Sequence, residues 1–189
     1  MRCAVCRMPD RMKRLLVLLV AVLASAGAHA ALDVGERAPD FTAPAALGGK
    51  VYKFSLNDAL RKGPVVLYFF PAAYSEGCSV EAHEFAEANA DFAALGATVI
   101  GVSADDIDTL TRFSVQACQS KFPVASDEKQ SVIQSFDAVL KTRPEYANRI
   151  TYLIAPDGAI VYTYQSLNPA RHIEKTLGAL RAWAQRKQP

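Results

Sequence analysis

The sequence predicts an α/β domain in which a sheet of parallel strands with antiparallel edges is covered by helices on both faces. Apolar runs rich in β-branched and aromatic residues, such as residues 65–70, are typical of strands buried on both sides. Helical periodicity follows each of the two central runs, and this alternation of strand and helix favours parallel pairing. Because half of the 189 residues are hydrophobic, the chain can bury the core that such a domain needs.

The first predicted elements are an extended lead-in and a β-hairpin. Residues 31–40 are expected to be extended, since Pro39 disfavours helical conformation in the residue before it. Residues 41–45 and 51–56 flank a turn with two glycines at 47–50, which predicts a hairpin. Pro64 precedes the first buried strand.

Helices are predicted after each central strand. The first helix is expected over residues 78–95 and ends at Gly96. Its apolar residues form one stripe: Phe85, Ala88, Phe92 and Leu95. A second buried strand is expected over 97–103 and a second helix over 106–121. The inward positions of that second helix are Ile107, Leu110, Phe113 or Ser114, and Ala117.

The remaining elements complete the layers. A short strand around residues 122–126 and a short helix around 130–136 come first. Two strands then flank the turn at 155–158, whose Pro-Asp-Gly sequence predicts a hairpin. A last helix is expected to have Asn168 as its cap and Pro169 as its first residue. Its apolar stripe contains Ile173, Leu177, Leu180 and Trp183.

This order of elements predicts a thioredoxin-like three-layer αβα sandwich with an N-terminal β-hairpin. In open sheets of this kind, functional sites lie where the carboxyl end of a strand meets the start of a helix. Cys78 is placed at such a junction, directly after the first central strand.

The N-terminal segment has the pattern of a secretory signal peptide. A basic stretch at 12–14 precedes an apolar run that ends in Ala28-His29-Ala30, and the run is too short for a comfortable transmembrane helix. We predict a signal peptide over 1–30, with Met12 as the true start, and one domain over 31–189. An uncleaved membrane anchor is the alternative. The protein is therefore expected to be exported, to the bacterial periplasm, with no membrane association after cleavage.

Removal of the signal changes the charge and the cysteine count. Five basic residues and one acidic residue lie within 1–30, so the mature chain has a formal charge of −2 and no basic patch for nucleic acid. Cys3 and Cys6, whose spacing resembles a redox or zinc motif, are discarded with it. Cys78 and Cys118 remain, and in an exported protein two cysteines either pair or serve chemistry.

Cys78 and its neighbours could form a reactive site. A free thiol with a pKa of about 8.5 is only about 3% ionised at pH 7, but a helix N-terminus favours the thiolate. Ser75 could hold a small oxygen substrate beside the sulfur, and Pro71 could shield it from water. Glu81, one turn further, is either a partner for an arginine or a solvated acid. Arg149 either approaches the sulfur from a neighbouring strand or lies on the surface.

The pattern from Pro71 through Ser75 to Cys78 matches the P-x-x-x-[T/S]-x-x-C motif of peroxiredoxins. The chain resembles the peroxiredoxin Q / bacterioferritin comigratory protein branch, an AhpC/TSA-like group, over nearly all of its mature length. The matching segments are GERAPDFTAP, VVLYFFP, GCSVEAHEF, ALGATVIGVSAD, FPVASD and RITYLIAPDG.

The resemblance implies a thiol-dependent peroxidase. Cys78 would be the peroxidatic cysteine, oxidised to a sulfenic acid by hydrogen peroxide or organic hydroperoxides. Ser75 would orient the hydroperoxide, Pro71 would shield the sulfenic acid, and Arg149 would stabilise the thiolate and the departing oxygen. No metal or other cofactor is required. A thioredoxin-like or other thiol reductant would recycle an enzyme that is a monomer or homodimer.

The sequence departs from the family pattern at one position. Many members of this branch have a resolving cysteine five residues after the first, where this chain has His83. Other members have it on the following helix, where Cys118 is predicted. Cys118 is therefore either the resolving cysteine or a small core residue. His83 is interpreted as a plain helix residue, because its spacing from Cys78 suits no shared metal, and His172 is left as structural.

Rival functions lack their motifs. A thiol–disulfide oxidoreductase would have a cysteine at Ser75, and a copper carrier would have one at Ala82. An exported redox-sensing module without peroxidase turnover is the remaining alternative.

Overall fold

A seven-stranded mixed sheet is the middle layer of the structure, a computed structural model that describes residues 31–187. The predicted signal peptide, Cys3 and Cys6 lie outside the described residues. The strands are β1 (Thr42–Leu47), β2 (Lys50–Ser55), β3 (Val65–Phe69), β4 (Thr98–Ser103), β5 (Val124–Ser126), β6 (Ile150–Ile154) and β7 (Ile160–Gln165). They are arranged in the order β2-β1-β5-β4-β3-β6-β7.

Helices cover both faces of this sheet. They are α1 (Leu56–Leu60), α2 (Glu76–Ala94), α3 (Ile107–Gln116), α4 (Ser131–Ser135) and α5 (His172–Lys187). The apolar residues of α1 and α4 belong to one buried cluster, and those of α2, α3 and α5 belong to another. The predicted thioredoxin-like three-layer αβα sandwich with its N-terminal hairpin is confirmed.

Strand β3 contributes to both clusters, as its sequence predicted. Val65, Leu67 and Phe69 face the cluster under α1 and α4. The alternate residues Val66 and Tyr68 face the cluster under α2, α3 and α5. Side chains alternate between the faces of a strand, so a continuous apolar run fills two cores at once.

Strand pairing brings distant parts of the chain to the end of β3. Strand β4 is parallel to β3, with Phe69 opposite Val102. Strand β6 is antiparallel to β3, with Phe69 opposite Ile150. The start of β6 therefore lies beside the carboxyl end of β3, where the chain turns toward α2.

Several boundaries differ from the sequence prediction. Helix α1 was not predicted because it has only five residues. Ser55 is its N-cap, and the Ser55 hydroxyl accepts a hydrogen bond from the Asp58 N–H at 3.2 Å. Helix α3 ends at Gln116 and not at 121, since Gln119 and Ser120 both adopt left-handed backbone conformations, with φ of 50° and 58°.

The start of the last helix was also predicted wrongly. Asn168 does not cap α5, because its side-chain oxygen accepts a hydrogen bond from the Ala170 N–H at 3.0 Å in a local turn. Arg171 then has a left-handed φ of 80°. The helix consequently begins at His172, three residues later than predicted. None of the helices within residues 31–187 has the length and apolar character needed to cross a membrane.

Candidate active site

Cys78 lies in the first turn of α2, and its side chain is almost fully buried. The Sγ atom accepts a hydrogen bond from Arg149 Nη2 at 3.3 Å. The helix N-terminus and the guanidinium both favour a negative charge on this sulfur. The expectation that Arg149 approaches Cys78 from a neighbouring strand is therefore met by the geometry.

Arg149 is held in a fixed orientation by three acceptors. Its Nε donates to the Leu167 carbonyl at 3.0 Å, and its Nη1 pairs with the Glu81 carboxylate. Its exposed fraction is only 5%. Burial lowers the pKa of Arg149, but the nearby charges of Glu81 and Cys78 raise it by more. The guanidinium is thus a permanent cation aimed at the sulfur.

Glu81 is fully buried, and the interpretation that it is an arginine partner agrees with the structure. Burial raises the pKa of Glu81 to about 8, although Arg149 opposes this effect. One carboxyl oxygen, Oε2, pairs with Arg149, and the other, Oε1, has no hydrogen-bond partner among the described residues. This second oxygen lies 3.6 Å from His172 Nδ1.

His172 has partners that the sequence did not reveal. It is fully buried, its Nδ1 lies 2.8 Å from the Thr151 hydroxyl, and its Nε2 lies 2.9 Å from the Ser166 carbonyl. Burial lowers the pKa of His172 to about 4. The imidazole is therefore neutral near pH 7, and Nε2 carries its hydrogen because a carbonyl oxygen can only accept.

Ser75 precedes α2 as its N-cap residue, yet its hydroxyl makes no capping hydrogen bond to the helix. The hydroxyl donates instead to the Ala72 carbonyl at 3.0 Å. The first N–H groups of α2 thus receive no side-chain acceptor from Ser75. Pro71 is half-buried in the loop after β3, and Tyr74 has a left-handed φ of 63° in the same loop.

Asp105 was not singled out from the sequence, although it anchors this loop. Its Oδ2 accepts a hydrogen bond from the Ala73 N–H at 2.8 Å and another from the Ser103 hydroxyl at 2.7 Å. The available signal was its position just beyond the carboxyl end of β4, at the edge where sites of this fold form. Asp105 therefore positions the segment that leads into Cys78.

Cys118 lies just beyond α3 and is fully buried in the same apolar cluster as Cys78. Both cysteines are free thiols. Burial raises the pKa of the Cys118 thiol, which keeps it protonated. Tyr68 belongs to the same buried cluster as both cysteines, and its burial raises the pKa of its hydroxyl.

The other histidine of the helical layer stays outside this site. His83 is exposed, and its Nδ1 lies 2.8 Å from Gln119 Nε2. Within residues 31–187, no group of three or more His, Cys, Asp or Glu side chains is arranged to hold a metal ion.

The arrangement suits nucleophilic attack by sulfur. The thiolate form of Cys78 would be stabilised by Arg149, whose position is fixed before any reaction occurs. A fixed cation beside the attacking atom also stabilises negative charge that develops on a leaving group. The site can therefore cleave a weak bond between two electronegative atoms.

Comparisons with known proteins give relatives of one kind. The AhpC/TSA family matches residues 34–163. Peroxiredoxin Bcp of Xanthomonas campestris pv. campestris is 29% identical over 126 residues, covering 64% of this chain and 78% of that protein. The chloroplastic 2-Cys peroxiredoxin BAS1 of Hordeum vulgare is 28% identical over 163 residues, covering 82% and 77%. The crystal structure of peroxidoxin BcpB from Mycobacterium tuberculosis has a TM-score of 0.72 and 28% identity, covering 80% and 97%.

Proposed function

Because this chain belongs to the AhpC/TSA family and is a thiol-dependent peroxidase, we propose that Cys78 is its peroxidatic cysteine. The observation that carries the proposal is the hydrogen bond from Arg149 Nη2 to Cys78 Sγ inside a buried site. The substrates are hydrogen peroxide, organic hydroperoxides or both.

In the first step the Cys78 thiolate attacks one oxygen of the hydroperoxide. A sulfur–oxygen bond forms, the oxygen–oxygen bond breaks, and the departing oxygen leaves with the electron pair and takes a proton from water. Sulfur is oxidised to a sulfenic acid and the peroxide is reduced to an alcohol or water. Arg149 stabilises the charge on the departing oxygen, while Ser75 orients the hydroperoxide and Pro71 shields the sulfenic acid.

In the second step we propose that the Cys118 thiol attacks the sulfenic sulfur and releases water, which forms a Cys78–Cys118 disulfide. Two observations support a local rearrangement that brings the sulfurs together. The hydroxyl of Ser75 does not cap α2, and a missing cap weakens a helix start by about 1 kcal/mol. Cys118 precedes two residues in strained left-handed conformations, Gln119 and Ser120.

The test is peptide mass mapping after one equivalent of hydrogen peroxide, for the wild type and Cys118→Ser. We expect a linked pair of peptides with a loss of about 2 mass units in the wild type. Cys118→Ser should show a gain of about 16 on the Cys78 peptide. Cys78→Ser is the matched control and should show neither change. A gain of about 16 on Cys78 in the wild type, with no linkage, would refute the resolving role of Cys118 alone. The absence of any rapid change at Cys78 would refute the peroxidatic role.

A small thioredoxin-like protein or another thiol reductant is proposed to recycle the enzyme, since reduction of a Cys78–Cys118 disulfide requires electrons from an external thiol. We further propose that the domain acts as a monomer, with a homodimer as the alternative, and that it is exported to the periplasm by the segment 12–30. N-terminal sequencing of the periplasmic fraction should find a chain that starts at Ala31. A chain that keeps residues 12–30 would contradict export by cleavage.

A further inference from the structure

A glycine directly precedes Cys78 in the first turn of α2, where the helix itself gives no reason for one. Gly77 lies inside α2, and its φ is outside the left-handed region that favours glycine. Glycine loses more conformational freedom on folding than alanine does, and it is the weaker helix former of the two. The reason for a glycine at position 77 must therefore lie in what surrounds it.

The side chain that alanine would add at position 77 meets the guanidinium that contacts the sulfur. A Cβ there would lie 3.3 Å from Arg149 Nη2, the atom that donates to Cys78 Sγ at 3.3 Å. It would also lie 3.6 Å from Pro169 Cγ and 3.8 Å from Pro169 Cδ. Optimal separations between carbon atoms are about 3.5–4.0 Å, so the approach to Nη2 is tighter than an ordinary contact. The guanidinium thus lies against space that only a glycine leaves open.

Arg149 has little freedom to move away from such a Cβ. Its Nε donates to the Leu167 carbonyl at 3.0 Å, and its own carbonyl accepts from the Ser166 N–H at 3.2 Å. Its Nη1 pairs with Glu81. Pro169 belongs to the same segment as Leu167, so a movement of the proline ring also moves an acceptor of Arg149. A methyl group at position 77 must therefore change the position of Nη2 relative to the sulfur.

We propose that Gly77 is a positioning residue for Cys78. Its missing side chain lets the Arg149 guanidinium lie against the first turn of α2, within hydrogen-bonding distance of the sulfur. Gly77 has no side-chain group that could touch a substrate or exchange a proton, so it acts through Arg149. The consequence for catalysis rests on the proposed peroxidatic role of Cys78. The contact itself does not, because it exists before any peroxide arrives.

Three variants of the full chain test the proposal. Gly77→Ala adds a methyl group beside Arg149 Nη2. Gly178→Ala is the matched control, since Gly178 is an exposed helical glycine of α5 and its Cβ would meet nothing within 4 Å. The third variant combines Gly77→Ala with Arg149→Lys. It shows whether the methyl group acts through the guanidinium, because a lysine ammonium lacks the fork of donors that reaches the sulfur.

The first measurement is the rate of iodoacetamide alkylation at neutral pH, read at the Cys78 peptide by mass spectrometry. Iodoacetamide reacts with the thiolate, which a weaker contact to Arg149 makes less abundant. We expect alkylation of Gly77→Ala to be about threefold to tenfold slower than that of the wild type, because part of a charged hydrogen bond is lost. Gly178→Ala should keep the wild-type rate. A wild-type rate in Gly77→Ala would overturn the proposal.

The combined variant separates this mechanism from simple obstruction of the sulfur. If the methyl group acts through the guanidinium, adding Gly77→Ala to Arg149→Lys should change the alkylation rate by less than about twofold. If the methyl group blocked the path of the reagent, the fold loss would be the same with and without the arginine. An equal loss in both backgrounds would therefore refute the proposal.

Denaturant titration measures whether the substitution acts on the fold instead. Alanine is the better helix former, which offsets the close contact at position 77. The unfolding midpoint of Gly77→Ala should therefore stay near that of the wild type, and the midpoint of Gly178→Ala should rise. A failure of Gly77→Ala to fold would overturn the proposal, because the glycine would then be required by the fold and not by the position of Arg149.

Oxidation by hydrogen peroxide extends the test to the proposed reaction. The rate of Cys78 oxidation should fall in Gly77→Ala by the same factor as alkylation, and Gly178→Ala should match the wild type. Unchanged oxidation in Gly77→Ala would overturn the proposed effect on the reaction. Alkylation needs no peroxide. A wild type whose Cys78 resists peroxide would therefore refute the peroxidatic role, while the alkylation rates would still decide the role of Gly77.

Discussion

Arg149→Lys tests whether the geometry of the guanidinium, and not only its charge, activates Cys78. The wild-type side chain donates at once to Cys78 Sγ, Glu81 and the Leu167 carbonyl. A lysine ammonium is a compact, strongly hydrated charge and cannot span three acceptors in the fork geometry. We expect the lysine to lose the hydrogen bond that the guanidinium Nη2 donates to the sulfur.

The expected loss follows from the energy of that contact. A hydrogen bond to a charged group contributes about 1.5–3 kcal/mol, and about 1.4 kcal/mol corresponds to a tenfold change in rate. The second-order rate of Cys78 oxidation by hydrogen peroxide should therefore fall by about one to two powers of ten. Rapid-quench mixing followed by peptide mass mapping of Cys78 measures this rate directly.

Arg181 forms an exposed ion pair with Asp91 at 3.3 Å, and exposed pairs contribute little, so Arg181→Lys should keep the wild-type rate. If Arg149→Lys also oxidised within about threefold of the wild type, the loss would be well below the value expected for a charged hydrogen bond, and the argument from guanidinium geometry would be wrong.

Two further predictions concern neighbours of the sulfur. Burial raises the pKa of Glu81 from 4.5 to about 8, so the folded state keeps a proton that the unfolded chain has lost in this window. This contribution to the free energy of unfolding is complete below about pH 4.5 and is lost as the pH rises through about 8. Denaturant titrations of Glu81→Gln should show no such fall in the free energy of unfolding with pH. A stability difference between Glu81→Gln and the wild type that does not vary with pH would contradict this prediction. Asp105→Ala should remove the acceptor of the Ala73 N–H, lower stability by about 1–3 kcal/mol and slow Cys78 oxidation. Asp105→Asn keeps a carbonyl acceptor and should retain most of the stability and most of the Cys78 oxidation rate. Equal losses in Asp105→Ala and Asp105→Asn would show that the lost hydrogen bond does not cause them.

Local patterns in the sequence were sufficient for the parts of the fold with strong periodicity. The apolar run of β3 and the helical stripe of α2 each appear within a short window, so the junction that carries Cys78 could be predicted from them alone. The site depends on contacts that no short window contains. The role of Arg149 came from the family resemblance, because its approach to sulfur requires the register of β6 against β3.

The missed features have related physical reasons. His172 is buried by residues from three segments, so its surroundings exist only after the tertiary fold has formed. The early end of α3 depends on Gln119 and Ser120 in left-handed conformations, where no glycine marks the turn. Asp105 was not singled out because its hydrogen bonds from the Ala73 N–H and the Ser103 hydroxyl form only in the folded chain.

The antiparallel pairing of β6 with β3 has a consequence for the life of the newly made chain. Cys78 and Arg149 are separated by 71 positions, and their contact exists only after β6 has docked beside β3. A chain that is still being synthesised has no guanidinium beside its cysteine, so we expect its thiol to react slowly with oxidants. We therefore expect the reactivity of Cys78 toward peroxide to appear only when β6 has docked and the sheet is complete.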